Sequence, residues 1–423
     1  MSPAAAPPAA DAAANVAAEV AVVGGGLVGG ALGLGLARHG VKTVVIDKLH
    51  PTAGISPTFD GRASAIAAAG HKLLEGVGLW AHLAEKAEPI LDIRVSDGSS
   101  LLFLHYDHRA LGDGVTNEGP LGYMLENRHL RDAIARGLES AHGNLTVIAP
   151  DTVQGLSQSA DAATLTLASG RTVTAKLVVA AEGRTSALRD AAGIALTGWD
   201  YPQTAIVATI GHERPHQGIA HERFLTAGPF AILPLKGGHQ SSLVWTEAAH
   251  LAQHYLALND ADFIAAIDER VGGFLGQLTL VGPRFSYPLG VQFAHTYVKS
   301  RLALIGDAAH AIHPIAGQGL NLGLRDVGAL IEAIVDAKRL GLEPAHASVL
   351  ERYERWRRAD NLLMAGVTDA LNRLFSNDIA PIRIARDLGL GIVNRIPPLK
   401  KFFMRHAMGT VGDLPKLLRG EAL

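Results

Sequence analysis

The first clear pattern along the chain is an apolar run, a helical stretch and a second apolar run. Residues 20–23 have the length of a buried strand, and residues 27–39 follow with helical character until Gly40 ends them. Residues 41–46 form the second run. A strand, a helix and a strand within about 30 residues predict a β-α-β unit whose two strands lie parallel.

Further apolar runs of strand length occur in the middle of the chain and again after residue 300. Residues 177–181 are continuously apolar, and the stretches that flank Ser169-Gly170 read as a β-hairpin before them. Residues 302–306 return to a buried strand, and from Leu320 the apolar positions follow helical spacing. These segments predict additional strands and a long helix around the first unit.

The segment from residue 196 to residue 284 has a different pattern. Short alternating runs at 205–210, 230–235 and 241–246 are separated by glycine and proline. Alternation with a period of two predicts an antiparallel sheet that is inserted between the segments of the parallel layer. The remaining residues, 343–423, are predicted to be mostly helical with proline breaks.

The turn after the first strand has three glycines in G-x-G-x-x-G spacing, at Gly24, Gly26 and Gly29. The first permits a tight turn, the second lets the backbone approach a pyrophosphate, and the third lets the helix lie close to the sheet. Asp47 follows the second strand, 18 residues after Gly29, where a carboxylate accepts hydrogen bonds from an adenosine ribose. These features predict a dinucleotide site but do not separate NAD from FAD.

A second glycine-rich turn, far along the chain, decides between the two cofactors. The late buried strand runs into Gly306 and Asp307, and Gly317 and Gly319 precede or begin the following helix. The N-terminus of that helix would face the partly negative edge of a reduced isoalloxazine ring, and Asp307 would hydrogen-bond a ribityl chain. A ligand that contacts both turns is long, which indicates FAD rather than a nicotinamide dinucleotide.

The composition agrees with a globular protein and excludes several kinds of site. Of the 423 residues, 48% are hydrophobic and 18% are charged, which is typical of a well-packed chain with two or three units. The net charge of −2 gives no basis for nucleic-acid binding. Because the chain has no cysteine, it has no disulfide, iron–sulfur cluster or cysteine nucleophile.

The two ends of the chain predict how it meets its surroundings. Residues 1–17 are rich in alanine and proline and predict a disordered tail, not a secretory signal. No stretch approaches the roughly 20 apolar residues of a membrane span.

In residues 397–423, five basic and two acidic side chains are interleaved with phenylalanine and leucine, a pattern that favours contact with an anionic bilayer. We therefore expect a cytoplasmic protein with peripheral contact at the inner face of a membrane.

Taken together, these motifs resemble the class A FAD-dependent aromatic hydroxylases and, within them, the ubiquinone-biosynthesis hydroxylases. The resemblance spans roughly residues 18–423, and its most specific part is the run from Gly306 to Asp326. The other segments that carry it are residues 24–29, Asp60-Gly61-Arg62, 181-AEGRTS-186, 228-GPFAILP-234 and 414-LPKLLRGEAL-423.

The predicted fold is therefore an α/β fold, in which a Rossmann-like FAD-binding domain carries an inserted antiparallel-sheet substrate domain and a helical C-terminal region. The predicted boundaries are 1–17 for the disordered tail, 18–85, 126–195 and 285–342 for the discontinuous FAD-binding domain, 86–125 and 196–284 for the substrate-binding domain, and 343–423 for the helical region.

The resemblance also implies a set of cofactor contacts, and it assigns no catalytic side chain and no metal ligand. Members usually have Asp-Gly where this chain has Glu182-Gly183, which leaves the pyridine-nucleotide contact open. For Arg62 and Arg128, the alternative interpretation is an ordinary surface arginine. The implied FAD-binding residues are Gly24, Gly26, Leu27, Val28, Gly29, Asp47, Lys48, Arg62, Arg128, Glu182, Gly183, Gly306, Asp307, Pro314, Gly317, Gln318, Gly319, Leu320 and Asn321.

The activity implied by the resemblance is hydroxylation of a polyprenylated phenol in ubiquinone biosynthesis. NAD(P)H would bind transiently and reduce FAD, and the reduced flavin would react with O2 to give a C4a-hydroperoxide that hydroxylates the ring. Other ubiquinone-biosynthesis proteins and a second copy of the chain are open as partners. Two alternatives also stay open: a different FAD enzyme, such as a hydroxylase of a smaller aromatic, an oxidase or a reductase, and a flavin-binding subunit without catalysis.

Overall fold

The computed structural model describes residues 15–56, 58, 60–98, 103–110, 119–141, 143–313, 317–375 and 395–423. Its strands are, in chain order, β1 (Asn15–Val23), β2 (Thr43–Ile46), β3 (Ala63–Ala67), β4 (Glu88–Ile90), β5 (Asp92–Asp97), β6 (Phe103–Asp107), β7 (Gly122–Glu126), β8 (Leu145–Ile148), β9 (Val153–Gln158), β10 (Ala163–Leu167), β11 (Thr172–Ala180), β12 (Leu196–His212), β13 (Ile219–Leu225), β14 (Gly228–Leu235), β15 (Gln240–Ala248), β16 (Leu278–Ala294), β17 (Val298–Lys299), β18 (Leu302–Leu304) and β19 (His310–Ala311). Its α helices are α1 (Leu27–Arg38), α2 (Ala68–Gly76), α3 (Asn127–Ser140), α4 (Ala187–Ala191), α5 (Ala249–Ala257), α6 (Asp260–Val271), α7 (Gln318–Arg339), α8 (Ala347–Phe375), α9 (Pro397–Ala407) and α10 (Lys416–Arg419).

The first sheet is a parallel layer built around β1, and it confirms the predicted β-α-β unit. Its spatial order is β17-β18-β11-β1-β2-β8, in which β8, β2, β1, β11 and β18 are parallel neighbours. The predicted hairpin extends it, because β9 and β10 add to β11 in antiparallel fashion. The inner strands read as continuous apolar runs because α1 and α7 pack with them into one core.

The predicted disordered tail is wrong at its C-terminal end. β1 begins at Asn15, so residues 15–17 are not part of a tail. They pair in parallel register with residues 172–174, which form the outer half of β11. The composition of the N-terminal segment could not show this, because the hydrogen-bond partner that orders it lies more than 150 residues away. Residues 1–14 of the predicted tail lie outside the described residues.

The second sheet confirms the inserted antiparallel unit. Its order is β19-β16-β12-β15-β14-β13-β5-β6, and its neighbours are antiparallel except for β13 with β5. Side chains from α5 and α6 cover one face, where Phe263 and Ile267 pack with Trp245 of β15 in a separate apolar cluster. The sheet therefore has a core of its own beside the parallel layer.

Strands cross several of the predicted domain boundaries. The boundary between residues 284 and 285 falls inside β16, which pairs with β12 from Leu278 to Ala294 apart from two register shifts. β19, predicted within the FAD-binding segment, also joins this sheet. A third sheet of order β3-β7-β4 draws on segments from both predicted domains. Local patterns placed the limits where glycine or charge interrupts a run, whereas the hydrogen-bonded strands continue through those residues.

The predicted helical region is present after residue 343. α8 continues for 29 residues, and α9 and α10 follow after residues 376–394, which lie outside the described part of the chain. Within the described residues, no helix combines the length and the apolar character that crossing a bilayer requires.

Candidate active site

The glycines of the first turn divide into two kinds. A Cβ at Gly24, whose φ is +105°, would lie 2.3 Å from the carbonyl oxygen of Ala181, and a Cβ at Gly29 would lie 1.9 Å from the carbonyl oxygen of Gly24. Gly26 precedes α1, and a Cβ there would meet no described atom within 4 Å. Gly24 and Gly29 therefore serve the packing of the protein itself, whereas Gly26 leaves open space in front of a helix N-terminus.

A cleft opens beside this turn, at the ends of β2 and β8. Asp47 faces the cleft and also supports the turn, because its Oδ2 accepts the Gly25 N–H at 2.5 Å and its Oδ1 accepts the Leu49 N–H at 2.7 Å. Lys48 is exposed and is not part of the cleft wall. The wall includes Gly25, Gly26, Asp47, Pro51, Arg131 and Ala149.

The second glycine turn lies directly against the first helix. Gly306 has a φ of +58° and follows β18. Val28 of α1 packs on it: a Cβ at Gly306 would lie 3.4 Å from Val28 Cγ1, and a Cβ at Gly323 of α7 would lie 2.7 Å from Val28 Cγ2. The two turns are therefore neighbours, and α7 begins at Gln318, five residues before Gly323 and roughly 7.5 Å away along the helix axis.

Asp307 is the carboxylate that follows this turn. Protein atoms are densely packed around the side chain, yet the residue is exposed to solvent. This packing raises the pKa of Asp307, although the nearby charges of His310, Arg184 and Arg62 oppose the rise. Since no described side chain donates to its carboxylate, Asp307 can accept hydrogen bonds from the hydroxyl groups of a ligand.

Arg62 is held in place by Asp60. Its Nε and Nη2 donate to the two carboxylate oxygens of Asp60, each at 2.8 Å, and its guanidinium lies 4.8 Å from the centre of the Tyr287 ring. Asp60 is buried and also accepts from Asn127 at 3.2 Å and Arg131 at 3.1 Å. Burial opposes ionisation, but these donors, led by Arg62, hold the pKa of Asp60 well below its usual range. Half of the Arg62 side chain (49%) remains exposed.

Arg128, a predicted FAD contact, is paired with Glu126. Its Nε and Nη2 donate to Glu126 at 3.1 and 2.8 Å, and Arg128 is not part of the described cleft wall. Arg131, one helical turn later, lines the cleft and reaches Asp60 instead. The sequence analysis missed Arg131, although its position three residues after Arg128 places both on one face of α3.

The entry to α7 is as open as the sequence suggested. Gly317 precedes the helix with a φ of +62°, and a Cβ at Gly319 would meet nothing in the described chain within 4 Å. Gln318 is the first residue of the helix, so the free N–H groups of its first turn start here. Leu320 lines a small apolar cavity together with Leu27 of α1. Pro314 lies outside the described residues.

Asn321 has a structural task that the sequence did not indicate. Its amide donates to the carbonyl oxygen of Ala65 at 2.8 Å, and its Oδ1 accepts the Ala67 N–H at 2.9 Å. The side chain is buried and occupied by the backbone of β3. Asn321 therefore fixes β3, and the segment of Arg62 before it, against the start of α7.

Glu182 is turned toward its own helix. Its Oε2 accepts the Ser186 hydroxyl at 2.6 Å and the Leu188 N–H at 3.1 Å, so it supports the N-terminus of α4. Gly183 has a φ of +86°, a conformation that favours glycine. The additional methylene of glutamate, relative to the usual aspartate, lets the carboxylate reach these donors.

A buried ion-pair network lies behind the second turn. Asp326 is fully buried and accepts from His310 Nε2 at 2.5 Å, from Arg357 Nε at 2.8 Å and from the Gly306 N–H at 3.0 Å. Burial opposes its ionisation, but the charges of His310 and Arg357 lower the pKa of Asp326 to about 2. The network fixes the backbone that carries Asp307.

These features fit FAD in their chemistry. Gly26 and Gly319 leave open space at two helix N-termini, which suit a pyrophosphate and the electron-rich edge of a flavin. Asp47 and Asp307 are acceptors for ribose and ribityl hydroxyls, and Arg62 lies close enough to Asp307 for its charge to act on that carboxylate.

Comparison with known proteins agrees with this chemistry. The family model described as an FAD binding domain matches residues 17–364. The chain is 52% identical to the ubiquinone hydroxylase UbiL of Rhodospirillum rubrum over 95% of its own length and 92% of that protein. It belongs to the FAD-dependent ubiquinone-biosynthesis hydroxylases.

Two further similar proteins have lower identity to this chain. The 3-demethoxyubiquinol 3-hydroxylase of Escherichia coli is 37% identical, with coverage of 91% of this chain and 97% of that protein. Among solved structures, the p-nitrophenol 4-monooxygenase PnpA of Pseudomonas putida has a TM-score of 0.76 at 22% identity and covers 93% of this hydroxylase and 98% of its own chain. The chain is thus an FAD-dependent monooxygenase with the fold that its sequence predicted.

The position of Asp307 yields a first prediction. Asp307→Ala should leave the melting temperature of the FAD-free hydroxylase near the wild-type value, because no described side chain bonds to the carboxylate. It should raise the FAD dissociation constant by about 5- to 150-fold, since an unpaired ribityl hydroxyl costs ~1–3 kcal/mol. Fluorescence titration of the FAD-free protein measures this constant.

Asp47→Ala is the matched control for that titration. Asp47 supports the backbone of Gly25 and Leu49, so this variant should lose thermal stability even without FAD. If Asp307→Ala binds FAD with wild-type affinity, Asp307 does not contact the cofactor.

Proposed function

We propose that this chain hydroxylates a phenol bearing a polyprenyl tail, as a step of ubiquinone biosynthesis. NAD(P)H is the reductant and O2 the oxidant: one oxygen atom forms a new bond to a ring carbon, and the other leaves as water with the electrons of NAD(P)H. The observation that carries the proposal is the 52% identity, over nearly the whole chain, to a protein named ubiquinone hydroxylase.

The described residues support roles in binding and orientation. When bound and reduced, FAD supplies the activation of O2. The first turn of α1 and the open face of Gly26 bind its pyrophosphate, and Asp307 binds the ribityl hydroxyls. The N-terminus of α7 would stabilise negative charge on the flavin ring, and Arg62 would add a fixed cation near Asp307.

The test is a turnover experiment with the purified FAD-loaded protein. NADH and NADPH oxidation are followed with and without a prenylated phenol, and the product is analysed by mass spectrometry after reaction under isotopically labelled O2. We expect the phenol to stimulate oxidation and the product to contain one labelled oxygen atom. Oxidation without labelled product would indicate an oxidase or a reductase, and no oxidation with either nucleotide would indicate a subunit without catalysis.

An apolar substrate also favours peripheral contact with a membrane, which we include in the proposal. Phe402 and Phe403 of α9 are 51% and 40% exposed, and Lys400 and Lys401 precede them. Exposed apolar rings next to cations suit the boundary of an anionic bilayer. The polyprenyl tail would then be collected from the membrane, because each methylene costs ~0.8 kcal/mol to expose to water. Contacts with other ubiquinone-biosynthesis proteins and self-association stay predictions.

Vesicle flotation tests the membrane contact. Replacing Phe402 and Phe403 together by serine should reduce binding to anionic vesicles at least tenfold, because burying one such ring contributes about 1.5–3 kcal/mol. Leu340→Ser is the control, because Leu340 is 76% exposed at the far end of α7 and should have no effect. Equal flotation of all three proteins would contradict a contact through α9.

A further inference from the structure

His313 is an unusual histidine at the edge of the candidate site. It lies two residues after β19 and four residues before Gly317, and it is only 1% exposed. Both of its ring nitrogens are buried without a hydrogen-bond partner in the described part of the chain. Buried polar groups in native proteins are nearly always hydrogen-bonded, so a group that lacks a partner requires an explanation.

Other buried histidines of the chain have protein partners. His216 bonds to the carbonyl oxygen of Leu235 at 2.8 Å and accepts the Gly218 N–H at 3.0 Å. His310 bonds to Asp326. Among the described residues, His313 alone has two orphaned ring nitrogens, and no described protein group accounts for their burial.

Tyr201 connects His313 both to a charged pair and to a small apolar cluster. The ring of Tyr201 meets it edge-on at 5.2 Å and 81°, and the Tyr201 hydroxyl donates to Asp369 at 2.7 Å. Asp369 also pairs with Arg373 at 2.9 Å. Tyr201 packs on a small apolar cluster whose members are Val291, Phe293, Ile312 and Leu322.

The protonation state of His313 defines what it can bind. Removal from water lowers the pKa of His313 to about 4, although the charge of Asp369 opposes this shift. The ring is therefore neutral at pH 7 and carries one N–H donor and one acceptor nitrogen. Either site alone can bond to the hydroxyl group of a phenol, which donates to the acceptor nitrogen or accepts from the N–H.

The location matches the same ligand. Leu322 of the apolar cluster lies in the first two turns of α7, whose N-terminus is the flavin contact proposed above. An aromatic ring placed beside the flavin would thus meet apolar side chains, with His313 as the polar group next to them. We propose that His313 hydrogen-bonds the phenolic hydroxyl of the substrate and determines the preference for phenols, an inference that rests on the function proposed above.

Ligand binding to the FAD-loaded protein tests this role without turnover. The probes are geranylphenol and its O-methyl ether, and flavin absorbance reports their binding. The wild type should bind the phenol at least about tenfold more tightly, because the ether has no proton to donate to His313. His313→Leu should bind both probes within about twofold of each other and should keep its FAD. His313→Gln, which retains a donor and an acceptor, should recover part of the preference.

Thermal stability of the ligand-free variants provides a second readout. Replacing an unpaired buried imidazole by leucine should maintain or raise the melting temperature, because a desolvated polar group is removed. His216→Leu is the matched control: it should lower the melting temperature, because the Gly218 N–H and Leu235 carbonyl lose their partner, and leave the phenol preference unchanged.

The outcomes separate this inference from the proposed function. A wild type without phenol preference, a His313→Leu variant that retains the preference, or one that melts well below the wild type would overturn the role of His313. A preference that depends on His313, in a protein that hydroxylates no phenol, would refute the proposed function but leave the binding role standing.

Discussion

Replacing Gly26 by alanine should leave the FAD-free protein folded and weaken FAD binding by about 5- to 150-fold. The new methyl group meets no described atom within 4 Å, so the protein itself accommodates it. It would occupy the space in front of α1 that the pyrophosphate needs, and overpacking of this kind costs ~1–3 kcal/mol. Circular dichroism measures the fold, and FAD titration measures the affinity.

Two other glycines make this result specific. A Cβ at Gly366, within α8, also meets no atom of the described chain, so Gly366→Ala should bind FAD like the wild type. Gly29→Ala should instead fail to fold normally, because its methyl group would overlap the carbonyl oxygen of Gly24 at 1.9 Å. Unchanged FAD affinity in Gly26→Ala would mean that the pyrophosphate does not lie at this helix N-terminus.

The second large effect is expected at Arg357. Arg357→Met should lower the free energy of unfolding by about 3–5 kcal/mol, because it leaves the buried carboxylate of Asp326 without its guanidinium partner. Denaturant titration of the FAD-free protein measures the loss. Arg136→Met, which removes an exposed pair with Asp132, should change stability by less than about 1 kcal/mol.

A double variant tests the cause of this loss. Adding Asp326→Asn to Arg357→Met should restore much of the stability, since a neutral amide needs no counter-charge and its oxygen still accepts the Gly306 N–H. If the double variant is no more stable than Arg357→Met, the loss arises from the volume of the arginine and not from the unpaired charge.

The same ion pair predicts a dependence on pH. The pKa of Asp326 is lowered to about 2 in the folded protein, against about 3.9 for an unperturbed aspartate. A lowered pKa stabilises the fold above the unfolded value, so this contribution is complete above about pH 4 and is lost as the pH falls through about 2. In Arg357→Met the loss should begin at a higher pH, which acid titration followed by circular dichroism would reveal.

Local patterns were sufficient to predict the elements around the first glycine turn. Periodicity identified β1, α1 and β2, and the roles assigned to Gly24 and Gly29 agree with a positive φ and with contacts that leave no room for a side chain. Both roles follow from the backbone, whose conformation is set by neighbouring residues. This explains why the reasoning succeeded at these two positions.

The partners of long side chains could not be predicted in the same way. Arg128 faces Glu126 and Arg131 faces the cleft because the segment with Asp60, far away in sequence, packs over α3. Asn321 bonds to β3 for a similar reason. Val28 makes the two glycine turns neighbours, and this contact is also tertiary. The inference of FAD was correct, although it assumed that the two turns lie far apart.

The order of strands in the parallel sheet has a consequence for biosynthesis. β1, at the start of the chain, must wait for β11 and then for β18 and α7, about 280 residues later, before the two glycine turns become neighbours. At synthesis rates of roughly 5–20 residues per second, that interval is roughly 15–60 s. Until β11 follows, about 150 residues after β1, the edge of β1 that later pairs with β11 has no strand beside it, which is a hazard for aggregation on the ribosome. FAD can therefore stabilise the fold only after the polypeptide is nearly complete.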